Sequence, residues 1–470
     1  MRATAFPVFE IESRWLSTDE FRLNASSFSP EAADSLALID ELKRRGAKVD
    51  IIGNVVDRIF YPGRFKRDYA KTGTAFLSSK DIFDLVPTGK RIRNPTDLLF
   101  VKPGWVLVTR SGSVGRVCIA TKMVSQAAIS EHVIRVVPDG RLPASYLYIF
   151  LISRFGQPLI IKNIFGGVVD EIEPHHIGSI CIPRIPRLEN MIDEKVKKAV
   201  KVRQEAQEML AKAEEEMHAK LRLPHIVEDD ITYIGDRLGR IARCFETSLS
   251  DLELRMDAPY HSPLAQVVIR NLAKSRTGKM KRLRDVATSF VPPRFKRAYV
   301  SPPDGIPLLQ GTHVPQAKPQ DVKVLWKDMK KLKKYLVKEG WILVTCSGTI
   351  GEVSMIAGQQ DGWAATNHLL RIVPDRARMH PGYLALFLRS VYGWAQFQRL
   401  IYGGVVDEIA EAGDLADNVT ILKPSNEEVE KEIGDMVVRA YQKRDEANSL
   451  EDDALSMLET AFEKLRSSPG

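Results

Sequence analysis

The chain has 470 residues, 44% of them apolar and 27% charged, which is the balance of a globular protein of two to four domains and not of a disordered tail. No apolar run approaches the roughly 18 residues that span a bilayer, so no membrane contact is expected. Four scattered cysteines (Cys118, Cys181, Cys244, Cys346) without CxxC spacing exclude a zinc ribbon and point to a reduced compartment, while the net charge of +8 suits a polyanionic partner without requiring one.

Met1-Arg-Ala-Thr-Ala-Phe6 lacks the apolar core of a cleavable signal, and a cytoplasmic location is expected. Ser29-Pro30 then opens a predicted helix that closes near Gly46, with acids early and bases late. Phe60-Tyr-Pro-Gly-Arg-Phe-Lys-Arg67 follows as a loop marked by proline and glycine. Gly104-Trp-Val-Leu-Val-Thr109 reads as a buried strand, Arg110-Ser-Gly-Ser-Val-Gly115 as a tight turn, and Val117-Cys-Ile-Ala120 as the next strand. The block His132-Val-Ile-Arg-Val-Val-Pro-Asp139 also has strand character, and Pro143–Leu151 is predicted to be a short amphipathic helix. Gly166-Gly-Val-Val-Asp-Glu-Ile172 precedes a proline-marked exit at 182–186 and a long charged helix. There Ile192, Ala199, Ala206 and Ala213 recur every seven residues, the pattern of helices that supercoil on a partner.

The chain then repeats itself. Gly340-Trp-Ile-Leu-Val-Thr-Cys-Ser-Gly-Thr-Ile-Gly351 restates the block at Gly104 at an offset of 236. His368-Leu-Leu-Arg-Ile-Val-Pro-Asp375 answers His132 at the same offset, and Gly403-Gly-Val-Val-Asp-Glu-Ile409 copies 166–172 unchanged at 237. A helix over 261–278, a loop at Phe290-Val-Pro-Pro-Arg-Phe-Lys-Arg297 and a second heptad helix (Ile433, Ala440, Ala447, Ala454, Ala461) complete the copy. Arg203-Gln-Glu-Ala206 is echoed by Arg444-Asp-Glu-Ala447. The fold class is therefore α+β: two homologous mixed modules, strands outnumbering helices, each followed by a long helix that finds its partner in the other. Boundaries fall at 1–186, 187–224, 225–424 and 425–466.

No Walker-type phosphate loop is present. Asn94-Pro-Thr-Asp97 lacks the second proline and the aromatic of an amino-methyltransferase signature, and no Glu-x-Lys follows Pro138-Asp139 or Pro374-Asp375 as a nuclease would need. His132 and His368 read as ordinary strand histidines, and His175-His176 has no counterpart. The duplicated acids Asp170-Glu171 and Asp407-Glu408 leave two readings open. They are a pair of catalytic carboxylates, or they bond a nearby arginine and cap the next segment. Arg64, Lys66, Arg67 and their copies Arg294, Lys296, Arg297 set three cations about one aromatic ring in each module, which fits contact with DNA phosphates. Loop or base contacts are expected from Arg110, Ser111, Ser113 and Arg116 in the first module and from Ser347 and Thr349 in the second. Two of these positions differ in chemistry between the copies, Arg110 against Cys346 and Arg116 against Glu352. Arginine can bond two acceptors on guanine, whereas glutamate only accepts.

This order of parts resembles the specificity subunits of Type I restriction–modification systems over roughly residues 15–466. The likeness rests on the Arg22-Leu-Asn-Ala25 and Arg255-Met-Asp-Ala258 entries, the Gly-Trp-x-Leu-Val-Thr strands with their Ser-Gly-x-x-Gly turns, and the proline-marked helix entries. A glutamine that the family often places just after that proline is missing here, so a specificity factor of another phage-defence system stays open. The resemblance implies two target-recognition domains, helices that pack antiparallel as a spacer of about 50 Å, and a double-stranded DNA target in two parts. It implies a non-catalytic chain without cofactors. Its partners would be two methyltransferase subunits binding S-adenosylmethionine and an ATP-driven restriction subunit. A duplicated nuclease or methyltransferase using the Asp-Glu pairs, and a standalone transcription regulator, are the alternatives.

Overall fold

A computed structural model describes residues 11–18, 25–166, 169–226, 231, 244–249, 252, 255–301, 304–402, 407–409 and 412–467. Residues 22–24 of the first entry motif, Gly167-Val168 and Gly403–Val406 of the repeated Gly-Gly block lie outside them. The chain is mixed α and β, and it divides into two compact units. Unit 1 comprises Met1–Phe83, Pro87–Gln204 and Ala447–Gly470; unit 2 comprises Asp84–Val86 and Glu205–Glu446. Each unit thus takes one module and part of both long helices.

Unit 1 contains β1 (Val49–Ile51), β2 (Arg58–Phe60), β3 (Tyr69–Leu77), β4 (Lys90–Ile92), β5 (Val106–Thr109), β6 (Val117–Ile119), β7 (Ala128–Ile129), β8 (Val133–Val137) and β9 (Cys181–Pro183). The central sheet, in order β2-β8-β5-β6, is antiparallel throughout. Alternate side chains of a strand point to opposite faces, and both faces of β5 are buried. Val106 and Val108 pack with the helix Ala144–Ile152, while Leu107 packs against Leu77 and Ile129 of a second sheet, β4-β3-β7.

Unit 2 repeats this plan with β10 (Gly278–Arg282), β11 (Ala287–Phe290), β12 (Tyr299–Val300), β13 (Gly305–Leu309), β14 (Lys323–Trp326), β15 (Ile342–Thr345), β16 (Val353–Met355), β17 (Ala364–Ala365), β18 (Leu369–Pro374), β19 (Ile401–Tyr402), β20 (Glu408–Ile409) and β21 (Thr420–Pro424). Its central sheet runs β11-β18-β15-β16, and its second sheet runs β12-β14-β13-β17. The bulged strand β3 corresponds to β12 and β13 together, and the parallel pairings Phe76 with Ala128 and Leu308 with Ala364 match.

The first predicted helix forms over Pro30–Arg44, where the Ser29 hydroxyl accepts the Ala32 amide. Its counterpart runs Pro263–Lys274. The amphipathic reading of 143–151 is corrected: Ser145–Leu151 are all buried. The polar ends of its two tyrosines reach partners inside, Tyr146 the Pro183 carbonyl at 2.7 Å and Tyr148 the Glu451 carboxylate at 3.3 Å. Likewise His132 and His368 precede their strands, which start at Val133 and Leu369.

The long helices span Pro186–Leu221 and Glu427–Ser467. Ile192, Ala199, Ala206, Ala213, Ile433, Ala440, Ala447 and Ala454 are all buried, as the heptad demands. Within unit 1, Lys195 reaches Asp453 and Arg203 reaches Asn448. Advance along one helix is retreat along the other, so the helices there are antiparallel. Ala199, Val202 and Ala447 form the seam between them.

Candidate nucleic-acid interface

The repeated blocks, far apart in sequence, converge in each unit. In unit 1 the turn after β5 receives the His132 segment on one side, where the Arg110 amide donates to the His132 carbonyl at 2.8 Å. On the other side it receives the Asp-Glu segment, where the Ile172 amide donates to the Arg110 carbonyl at 3.1 Å and Ser111 pairs with Glu171. Unit 2 makes the same bonds: Cys346 amide to His368 carbonyl, Ile409 amide to Cys346 carbonyl, and Ser347 beside Glu408. Gly112 and Gly348 hold positive φ at the turn tips, where Ser113 and Thr349 are exposed. Gly115 and Gly351 must also stay small, since a Cβ would press on Ile160 and Trp394 respectively.

A buried arginine organises each His block. Arg135 on β8 donates to the carbonyls of Ser130, Val133 and Ile129, and Arg371 on β18 donates to those of Thr366, Leu369 and Ala365. Desolvation lowers both guanidinium pKa values to about 10, still far above neutrality, so each stays charged and pins the loop before its strand. The recurrence of His-x-x-Arg in both copies carried this signal.

The Arg-Phe-Lys-Arg loops lie beside the turns. Arg64 and Lys66 are exposed, Phe65 and Arg67 half-buried, and the pattern repeats residue for residue at Arg294, Phe295, Lys296 and Arg297. Phe65 anchors the first loop edge-on to Phe76 at 5.9 Å, and Phe295 packs on Tyr335 at 3.9 Å. Two residues beyond each loop stands an exposed tyrosine, Tyr69 or Tyr299, carrying a lysine ammonium over its ring at 5.3 Å: Lys90 in unit 1, Lys323 in unit 2. Neither pair is visible in the sequence, because loops of different length separate tyrosine from lysine. With Arg91 and Arg93 in unit 1, and Lys327, Lys330, Lys331, Lys333, Lys334 and the exposed Trp326 in unit 2, they extend the cationic surface beyond the expected residues.

No family model and no curated protein matches the chain. Among solved structures it is similar to a Type-I restriction-modification system S subunit from M. genitalium. The identity is 10% and the TM-score 0.34, over 89% of this chain and 95% of that one. It is also similar to the HsdS subunit from Thermoanaerobacter tengcongensis, at 13% identity and a TM-score of 0.29, over 89% and 96%. A chain from a structure of assembly and conformational transition in the type I R-M system gives 12% and 0.28, over 88% and 97%.

The residues expected at base or loop contacts differ in exposure. Arg110 is buried, and its guanidinium forks onto Glu171 at 3.1 and 2.9 Å and onto Glu173 at 2.7 Å, with its charge 4.3 Å from the Tyr61 ring centre. A base could take this arginine only by displacing two carboxylates. Ser111 is also buried, with its hydroxyl 2.6 Å from His132 Nδ1. Arg116 and Glu352 are half-buried, Ser347 is half-buried with its hydroxyl directed to Glu408 at 3.4 Å, and only Ser113 and Thr349 of this set are exposed.

An acid, a histidine and a serine also meet in this place in unit 1. His132 Nε2 lies 3.7 Å from Glu131, giving unit 1 a Ser111-His132-Glu131 row. The second copy breaks it, for Asn367 replaces the acid and Ser347 turns to Glu408. A nucleophile needs a base that a third group orients, and Glu131 is already bound by Arg67 at 2.8 Å. Of the Asp-Glu pairs, Glu171 is engaged by Arg110 and Glu408 accepts from the Ser347 hydroxyl.

Proposed function

We propose that this protein is a sequence-specific double-stranded DNA-binding specificity subunit, one that recognises a two-part target and directs methyltransferase and restriction subunits to it. The observation that carries the reading is the pair of basic loops. Arg64-Phe-Lys-Arg67 and Arg294-Phe-Lys-Arg297 have drifted neighbours yet the same exposure, the same aromatic anchor and the same place beside the same turn. Exposed cations held on a fixed frame meet phosphates without reading bases, and a chain with two such frames suits a target with two parts. Base discrimination then belongs to exposed residues that differ between copies, Ser113 against Thr349 at the turn tips and the side chains around Tyr69 and Tyr299. The resemblance to Type I specificity subunits supplies the partners, with S-adenosylmethionine and ATP bound on those partners and not on this chain.

The test uses the purified full chain and duplex DNA across a salt series. Replacing Arg64, Lys66, Arg294 and Lys296 by alanine should weaken binding to all sequences and flatten the log–log salt slope by up to about 0.9 per lost phosphate contact. An unchanged slope returns the loops to plain solvated surface, and cleavage or methylation by the chain alone moves it to the enzymes.

A further inference from the structure

We propose that the two units hold DNA unequally, with unit 2 as the anchoring half and unit 1 restrained by Glu131. The inference rests on the DNA-binding reading above and deepens it. Glu131 is 7% exposed and takes Arg67 at 2.8 Å. The Ser130 hydroxyl donates to its other oxygen at 3.2 Å, and His132 stands 3.7 Å away. Burial alone would push this carboxyl up, but the hydrogen bond and charge of Arg67 outweigh burial and hold it below the ordinary carboxylate range. The pair is therefore an ionised one. Arg67 is further fixed by the Phe76 ring, 5.3 Å from its charge centre. A partly buried pair is screened less by salt than an exposed one, so a DNA phosphate must compete with Glu131 for this arginine.

Unit 2 lacks the restraint. Asn367 occupies the place of Glu131, and among the described residues Arg297 has no carboxylate partner. Arg294 lies 4.0 Å from Glu408 but is 81% exposed, a contact too wet to withhold it. The neighbouring segment adds to the difference. From Lys323 to Lys338 the chain carries seven lysines against one aspartate, whereas the matching stretch from Lys90 to Lys102 carries four basic residues against one aspartate. Trp326 and Tyr299 stand exposed among those lysines, so the surface joins positive charge to aromatic faces.

The experiment exchanges the two residues in the full chain and measures affinity for a random-sequence duplex from 50 to 200 mM salt. Glu131→Gln keeps the side-chain shape and removes the competing charge. It should tighten binding at low salt and steepen the slope by about 0.9, so that its advantage over wild type shrinks about 3.5-fold across this range. Asn367→Glu should do the reverse, and Glu131→Gln combined with Arg67→Ala should lose the gain. Thermal unfolding checks that each variant is folded. If Glu131→Gln leaves binding unchanged or weakens it while wild type binds, Glu131 positions Arg67 for DNA and the restraint is refuted alone. If wild type itself shows no salt-dependent duplex binding, the DNA reading falls and this inference with it.

Discussion

Removing Arg203 should cost unit 1 more than any exposed substitution, and removing its partner as well should restore most of the loss. Arg203, on the first long helix, is 12% exposed and bonds Glu451 at 2.5 Å and Asn448 at 2.9 Å on the second; Glu451 is 1% exposed and also receives the Tyr148 hydroxyl. Breaking such a buried pair costs about 3–5 kcal/mol because a charge stays behind without its counter-ion, whereas replacing both members by apolar groups of similar size is often neutral. Arg203→Met and Glu451→Leu should therefore each lower stability by about 3–5 kcal/mol and the double variant by about 1 kcal/mol or less. For a unit of this size that is roughly 2–4 °C of melting temperature per kcal/mol, or about 10 °C for either single change. Calorimetry on the four proteins gives the cycle directly. Single variants that each cost under 1 kcal/mol and add up in the double would refute the reasoning, since they would show the pair to be solvated in practice.

Arg110→Cys, which copies the residue of unit 2, should destabilise unit 1 by about 1–3 kcal/mol through the carboxylates of Glu171 and Glu173 it abandons, and should leave the preferred DNA sequence unchanged when bound DNA is selected from a random pool. Ala199→Glu places a charge where Ala199 is fully buried against Val202 and Ala447, and should cost about 3–5 kcal/mol in a urea titration. Lysine at the same site would be expected to behave alike, while Ala199→Ser should cost little.

The duplication, the turns and the heptad seams were legible because each depends on local pattern. A seven-residue spacing buries one stripe whatever lies elsewhere, and Ser-Gly-x-x-Gly needs its glycines where φ is positive. The echo of Arg203-Gln-Glu in Arg444-Asp-Glu was legible too, though its meaning was not: both arginines are interior, the second bonding Asp445 and Gln360. What holds Arg110 was hidden for a reason that is general. An arginine at a turn looks like a hand held out to DNA, and only the fold shows that carboxylates 61 and 63 positions away have taken it. The tyrosine–lysine pairs were hidden by the same non-locality, since β3 and β12 bring their lysines in from other strands.

What separates the two copies is charge, and it separates them around an unchanged frame. Ser111 and Ser347, Gly112 and Gly348, and Gly115 and Gly351 keep the turn, while the Trp105–Phe60 and Trp341–Phe290 edge contacts keep the loop beside it. Against that frame Arg110 faces Cys346, Glu131 faces Asn367 and Arg116 faces Glu352. Here the packing is held, the loop cations, the buried Arg135 and Arg371 and the Asp-Glu pairs keep their charge in both copies, and the charge changes only at a few positions around the turn. On the proposed reading, two readers built on one scaffold and set to different sequences require this pattern, since a base contact must change with the base while the loop that presents it must not move.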